Sequence, residues 1–307
     1  MLGVLAGFAI IAAIVLVGYV LGRTGLLGEH APYVLSRLVF FVLTPCLLFT
    51  VLAEADVRVL FSSRLVVSAI AAIACFALFA LVAVFVFRRQ VPETVVGSLA
   101  SGYVNANNIG IPVSVYVIGD ATYSAPVVLA QLLIFAPISL AILGASTTGR
   151  TTVGSILLTT VRNPLIIGSV LGTLVAVTGV ELPEVVFEPF RLIGGGAVAV
   201  LLMNFGMSLS GSRILQAGTG RRDVALASVI KLIVMPLIAW ALGAFVFGLE
   251  GHELFAIVVL AALPTAQNVF NYATRYDRGV IIARDTILIT TVMCIPVLIA
   301  IALLLKG

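Results

Sequence analysis

The sequence predicts an all-α polytopic membrane protein of ten transmembrane helices, folded as a 5+5 inverted repeat. Three observations lead there. Of 307 residues, 62% are hydrophobic and only 10% charged, and the mean hydropathy is +1.25; soluble domains do not carry so little charge. The apolar residues fall into ten runs of membrane-crossing length, and part of the first half recurs in the second. A net charge of +4 does not point to nucleic acid, and no such partner is expected.

The spans follow in order. The first, 2–22, lacks the basic leader and cleavage site of a secretory signal and reads as a true span. The second (33–53) and third (65–87) are continuous apolar runs, the third ending at Arg88-Arg89. The fourth (93–118), fifth (122–145) and sixth (155–179) are interrupted by Gly, Pro or Asn, with Arg162-Asn163-Pro164 near the start of the sixth. The seventh (184–210) contains Gly194-Gly195-Gly196, which reads as helix packing. The eighth (223–247) follows Arg221-Arg222, the ninth (253–274) runs into Arg275-Tyr276-Asp277-Arg278, and the tenth covers 281–305. Loops are short throughout.

Positive residues set the orientation. With the N-terminus outside, the inner loops and flanking turns hold Arg23, Arg37, Arg88, Arg89, Arg150, Arg162, Arg213, Arg221, Arg222, Lys231, Arg275, Arg278 and Arg284. The outer side holds Arg58, Arg64, Arg191 and Lys306. Thirteen against four is a strong positive-inside bias and places both termini outside. Acids lean outward, with Glu181, Glu184, Glu188, Glu250 and Glu253.

The repeat appears at an offset of 154 residues: Gly18, Thr24, Gly25, Arg37, Leu38, Leu47 and Leu48 recur as Gly172, Thr178, Gly179, Arg191, Leu192, Leu201 and Leu202. Five spans per half is an odd number, so the second half enters the membrane upside down.

The candidate site lies in the fourth and ninth spans. Asn105, Asn107, Asn108, Gly110 and Pro112 fall where the fourth should sit deepest in lipid. An unpaired amide costs several kcal/mol there, and Pro112 removes a helical donor. The ninth carries Pro264, Gln267, Asn268 and Asn271; an offset of 160 sets Asn107 and Asn108 against Gln267 and Asn268. Two broken, amide-rich helices in corresponding places mark a transporter site. At helical spacing Asn105 and Asn108 share a face, as do Gln267 and Asn271, whereas Asn107 and Asn268 point elsewhere and cap freed backbone groups.

No Asp, Glu, Lys or Arg is expected at mid-span. Opposed half-helix N-termini with neutral amides suit an anion, and a small organic carboxylate is the ligand class that follows. No metal site or cofactor is expected: Cys46, Cys75 and Cys294 have no ligand spacing. No HExxH or GxSxG is present, so no enzyme is expected. Gly3/Gly7, Gly18/Gly22 and Gly168/Gly172 read as close helix packing, with a dimer face as one setting.

Several segments together make the chain resemble the auxin efflux carrier family, as a prokaryotic member of the PIN-like group. They are Leu35-Ser36-Arg37-Leu38-Val39-Phe40-Phe41-Val42-Leu43-Thr44-Pro45-Cys46-Leu47-Leu48-Phe49, Asn107-Asn108-Ile109-Gly110-Ile111-Pro112, Asn163-Pro164, Pro264, Tyr276 and Thr290/Thr291…Pro296. The resemblance implies a sodium/proton-antiporter-like fold in which broken helices 4 and 9 cross. It implies scaffold segments 1–60 and 150–212, often dimeric, and transport-domain segments 61–149 and 213–307. It carries the crossover role to Asn107, Asn108, Pro112, Pro264 and Asn268, with auxin-like acids or dicarboxylates as substrates. The long central loop of plant members is missing; about ten residues near Gly149 stand there. The expected activity is efflux of small organic anions across the inner (plasma) membrane by elevator-type alternating access. A sodium- or proton-coupled importer is the alternative, with a channel or a non-transporting sensor from other classes. Partners expected are the carboxylate, the bilayer and a second copy bound through the scaffold.

Overall fold

Among the described residues, six stretches are helices long and apolar enough to cross a membrane, and four shorter apolar helices accompany them. The structure is a computed structural model that describes residues 2–54, 63–148, 161–210 and 220–305. Outside the described residues and side chains lie Arg58, Arg150, Arg213, Lys306, the loop near Gly149, the first residues of the sixth span and the environment of Gly3/Gly7. In chain order the helices are α1 (Leu2–Thr24), α2 (Ala31–Ala53), α3 (Ser63–Phe85) and α4 (Val91–Gly102). There follow α5 (Ala106–Ile118), α6 (Ala121–Thr147), α7 (Pro164–Thr178) and α8 (Glu184–Met207). The last are α9 (Arg221–Val246), α10 (Gly251–Ala261), α11 (Gln267–Tyr276) and α12 (Val280–Leu305).

Local chemistry accounts for the boundaries. Asn163 caps α7 by accepting from Leu165 N–H at 3.0 Å, with Pro164 at the first helical position, where its missing N–H costs nothing. Gly179 closes the same helix in the left-handed region, φ 64°, which glycine adopts without strain. Leu263 precedes Pro264 and so is turned away from helical geometry; α10 stops at Ala261.

Packing divides the helices into two sets. In one, α1 lies along the second part of α8, and α2 lies along α7 and the first part of α8. In the other, α3 packs on α4, α9 on α10 and α3, and α12 on α4, α9, α10 and α11. Helix α5 touches the first set through α1 and α8 and the second through α10. Glycine sets the closeness in the first set. Gly18 and Gly22 meet the backbone of Met203 and Met207, Gly206 meets Val15, and Gly168 and Gly172 meet Pro45 and Phe49. The pairs Gly18/Gly22 and Gly168/Gly172 are thus taken up inside the chain rather than presented to a second copy. Gly194 packs on Leu47, but nothing lies near the Cβ position of Gly195.

Two of these contacts are related by one offset. Gly18 meets Met203 and Gly172 meets Phe49. Both members of one contact lie 154 residues from their counterparts in the other, the offset seen in the sequence. Each half therefore lends the other the same helix-to-helix contact.

One expectation fails. Lys231 is fully buried ten residues into α9, and Asp285 (2% exposed) and Asp223 (0%) are buried in α12 and α9. Charged residues do therefore lie within the spans, and Lys231 does not belong to an inner flanking turn. An apolar average over a long helix hides one charge whose stem is itself apolar. Asp223 is held by Arg89 through two bonds, Nε at 3.0 Å and a terminal nitrogen at 2.6 Å. Arg284 donates to Asp285 at 2.7 Å, and Arg278 pairs with Glu93 at 3.5 Å.

Candidate binding site

The centre of the molecule is built from two gaps in helices. Tyr103, Val104 and Asn105 join α4 to α5 in non-helical conformation, and residues 262–266 join α10 to α11. The two links cross as one antiparallel bridge, Val104 with Thr265. Asn105 N–H donates to Pro264 O at 2.8 Å and Ala266 N–H to Tyr103 O at 3.0 Å. A shift of 161 residues converts one bond into the other, so the crossover has local twofold symmetry. That is one residue more than the 160 that the matching of the amides suggests.

The break in the fourth span lies at 103–105, not at Gly110 or Pro112. Both residues are inside α5. Wide turns carry the chain past the ring: Gly110 N–H donates to Asn105 O at 2.9 Å and Ile111 N–H to Ala106 O. Such i→i−5 turns give the proline room that an α-turn lacks. Pro264 does sit in its break.

Side chains satisfy the backbone that the breaks release. The last helical bond of α4 ends on Leu99 O, and the next carbonyl, Ala100 O, accepts from the Thr265 hydroxyl. Thr265 N–H turns to Thr290 Oγ1 at 3.1 Å, and Gln131 donates to Val104 O at 2.9 Å. Ala261 O, 161 residues after Ala100, accepts from Lys231 Nζ at 2.7 Å. Thr265→Val keeps the shape but strands a buried carbonyl. We expect a loss of about 1–3 kcal/mol, read as a lower Tm of the purified protein.

The amides take roles partly different from those expected. Asn105 is the cap: it is 3% exposed, and its side-chain oxygen accepts from Asn108 N–H at 3.2 Å. Asn107 donates to Asn108 Oδ1 at 2.9 Å, and Asn108 donates to Gln267 Oε1 at 3.4 Å, a chain that links the two half-helices. Asn107, Asn108, Gln267, Asn268 and Asn271 all line one cavity of about 680 Å³, and Asn105 does not. Asn107 and Asn268 thus face the cavity instead of capping.

The same cavity is walled by Phe40, Phe41, Phe205 and Phe270 and carries Arg37 and Arg284, with no carboxylate among its lining residues. Arg37 donates to Tyr33 Oη at 3.0 Å and lies 5.2 Å from the Phe41 ring centre. Asn204, also on the wall, donates to Ser36 Oγ at 2.8 Å. Sequence reasoning treated both arginines as inner anchors and did not single out Asn204. A signal for Arg37 was present. Its counterpart Arg191 meets Glu54, Glu184 and Glu188, whereas the first acid before Arg37 in the sequence is Glu29, and no acid stands three or four residues from it.

Comparison with known proteins finds membrane transporters. The family model described as membrane transport protein matches residues 4–150 and 147–302. An uncharacterized transporter of Escherichia coli K12, YfdV, is 26% identical over 276 residues, 87% of this chain and 86% of that protein. An uncharacterized transporter of Methanocaldococcus jannaschii, MJ1031, is 23% identical over 295 residues, 94% of each chain. A rice protein named probable auxin efflux carrier component 5b is 29% identical over 143 residues, 45% of this chain and 38% of its own.

Proposed function

We propose that this chain, which belongs to the membrane transport protein family that includes the auxin efflux carriers, carries small organic carboxylate anions through the cavity at its crossed half-helices. One observation bears most of the weight: five amides from two broken helices share a cavity with Arg37 and with Arg284, which also holds Asp285, and no acid is among the lining residues. Amides and half-helix N-termini donate to a carboxylate without fixing a full charge. Guanidinium groups draw the anion in. The four phenylalanines favour an acid with an apolar or aromatic body, and about 680 Å³ is ample for a small ligand.

The multi-pass chain is read as ten spans in two inverted halves of five. The reciprocal glycine contacts and the symmetric crossover support that reading. Helices α1, α2, α7 and α8 then form a scaffold, and α3–α6 with α9–α12 a moving body, working as an elevator. The cavity lies on the face of Arg37 and Arg284, which the charge bias assigns to the cytoplasm. An anion loaded there leaves a negative-inside cell with a gain of roughly 2.3 kcal/mol per 100 mV, so efflux across the plasma membrane needs no coupled ion. A homodimer through the scaffold belongs to the same reading and rests on the resemblance.

The test is current across proteoliposomes when a panel of carboxylates is added, indole-3-acetate and dicarboxylates among them. A saturable current that depends on the acid is expected. Folded protein that gives no current with any acid would sink uncoupled carboxylate transport.

A further inference from the structure

Lys231 is the largest charged side chain sealed in the molecule among the described residues, and nothing in the reading above uses it. Its Nζ donates to Ala261 O at 2.7 Å and approaches Met235 Sδ at 3.2 Å. No carboxylate pairs with it among the described residues; its polar neighbours there include the thiols of Cys75 and Cys294. A lone ammonium in this setting is costly.

Capping a carbonyl does not explain the charge. At the symmetric position 161 residues earlier, Ala100 O is satisfied by the neutral hydroxyl of Thr265. The same backbone group, left bare by the same kind of break, thus receives a hydroxyl on one side and an ammonium on the other. What Lys231 adds is a positive charge at the carboxyl-terminal end of α10, the negative pole of that half-helix. In transporters with broken helices, such ends and their unwound carbonyls hold the coupling cation. A void of about 20 Å³ adjoins the spot, lined by Ser68, Gln131, Met235 and Ala261 among others, enough for one water-sized particle.

We propose that the Lys231 ammonium is the resident cation of the crossover, filling the place at Ala261 that a coupling metal cation would otherwise take. The carrier then carries its own counter-charge and needs no sodium at this position. The proposal rests on the carrier reading only in calling that cation a coupling ion. Lys231→Gln keeps an amide to donate to Ala261 O, removes the charge and adds an oxygen ligand. Lys231→Ser removes the charge, opens more space and serves if the first variant does not fold.

Thermal unfolding of purified wild type and both variants is measured in rising sodium chloride against choline chloride at equal ionic strength. No difference between the salts is expected for wild type. The variants should gain a saturable, sodium-specific rise in Tm, roughly 5 °C at about a hundredfold excess over Kd. Saturable sodium stabilisation of wild type would overturn the proposal, and so would a folded Gln variant indifferent to sodium, since lysine would then be a cap and nothing more. No organic anion enters the assay, so its outcome is independent of whether carboxylates are the substrate.

Discussion

Asn108→Ala is expected to lower the carboxylate-dependent current by about 10- to 100-fold in kcat/KM while leaving the protein folded. Asn108 is half-buried on the cavity wall and joins the two half-helices through Asn107 and Gln267. In the proposed site its loss removes a donor to the anion, and it takes away the bond to Gln267. A hydrogen bond to a charged group is worth about 1.5–3 kcal/mol, which sets the size of the effect. Asn105→Ala should behave differently, because Asn105 faces the backbone of α5 and not the cavity. It loses a helix cap, a cost of about 1 kcal/mol, seen as a lower Tm. Should Asn108→Ala transport like wild type, the amide chain is helix-to-helix glue and the cavity is not the ligand site.

The second large effect is expected at Gly206→Leu. Any Cβ there runs into the Val15 carbonyl and the backbone of Tyr19, so α1 and α8 must separate. Backbone cannot yield as a flexible side chain can, and overpacking of this kind costs about 3 kcal/mol or more. Loss of monodisperse protein in detergent is the readout. Gly195→Ala, in the same helix but with nothing within 4 Å of its Cβ position, should be neutral within about 0.5 kcal/mol. Equal stability of the two variants would mean that the close approach of α1 to α8 does not hold the fold together.

Much of this was legible beforehand for stated physical reasons. Long apolar runs must be helices in lipid, because only a helix pairs its own backbone there. Asn163-Pro164 announces a helix start and Pro264 a helix stop, since each acts through its own backbone. The amides Asn107, Asn108, Gln267, Asn268 and Asn271 were visible because polar residues are out of place in such runs. Spacing did not reveal which of them caps: Asn105 lies three residues before Asn108, as a cavity partner would. The true break at Tyr103–Asn105 was hidden because no residue there is a helix breaker, while Pro112 drew attention and is accommodated by wide turns.

By itself, then, the chain determined its helical character and the polar residues that its apolar spans would have to justify. Those follow from local rules: backbone pairing, proline geometry and the cost of a bare amide in hydrocarbon. Tertiary structure alone decided where the halves cross, that Arg37 and Arg284 join five amides around one cavity, and that Lys231 closes on Ala261. These pairings join residues 30 to some 250 positions apart. Distance along the chain says nothing about which donor will reach an orphaned carbonyl; only the packing of the helices brings the two together.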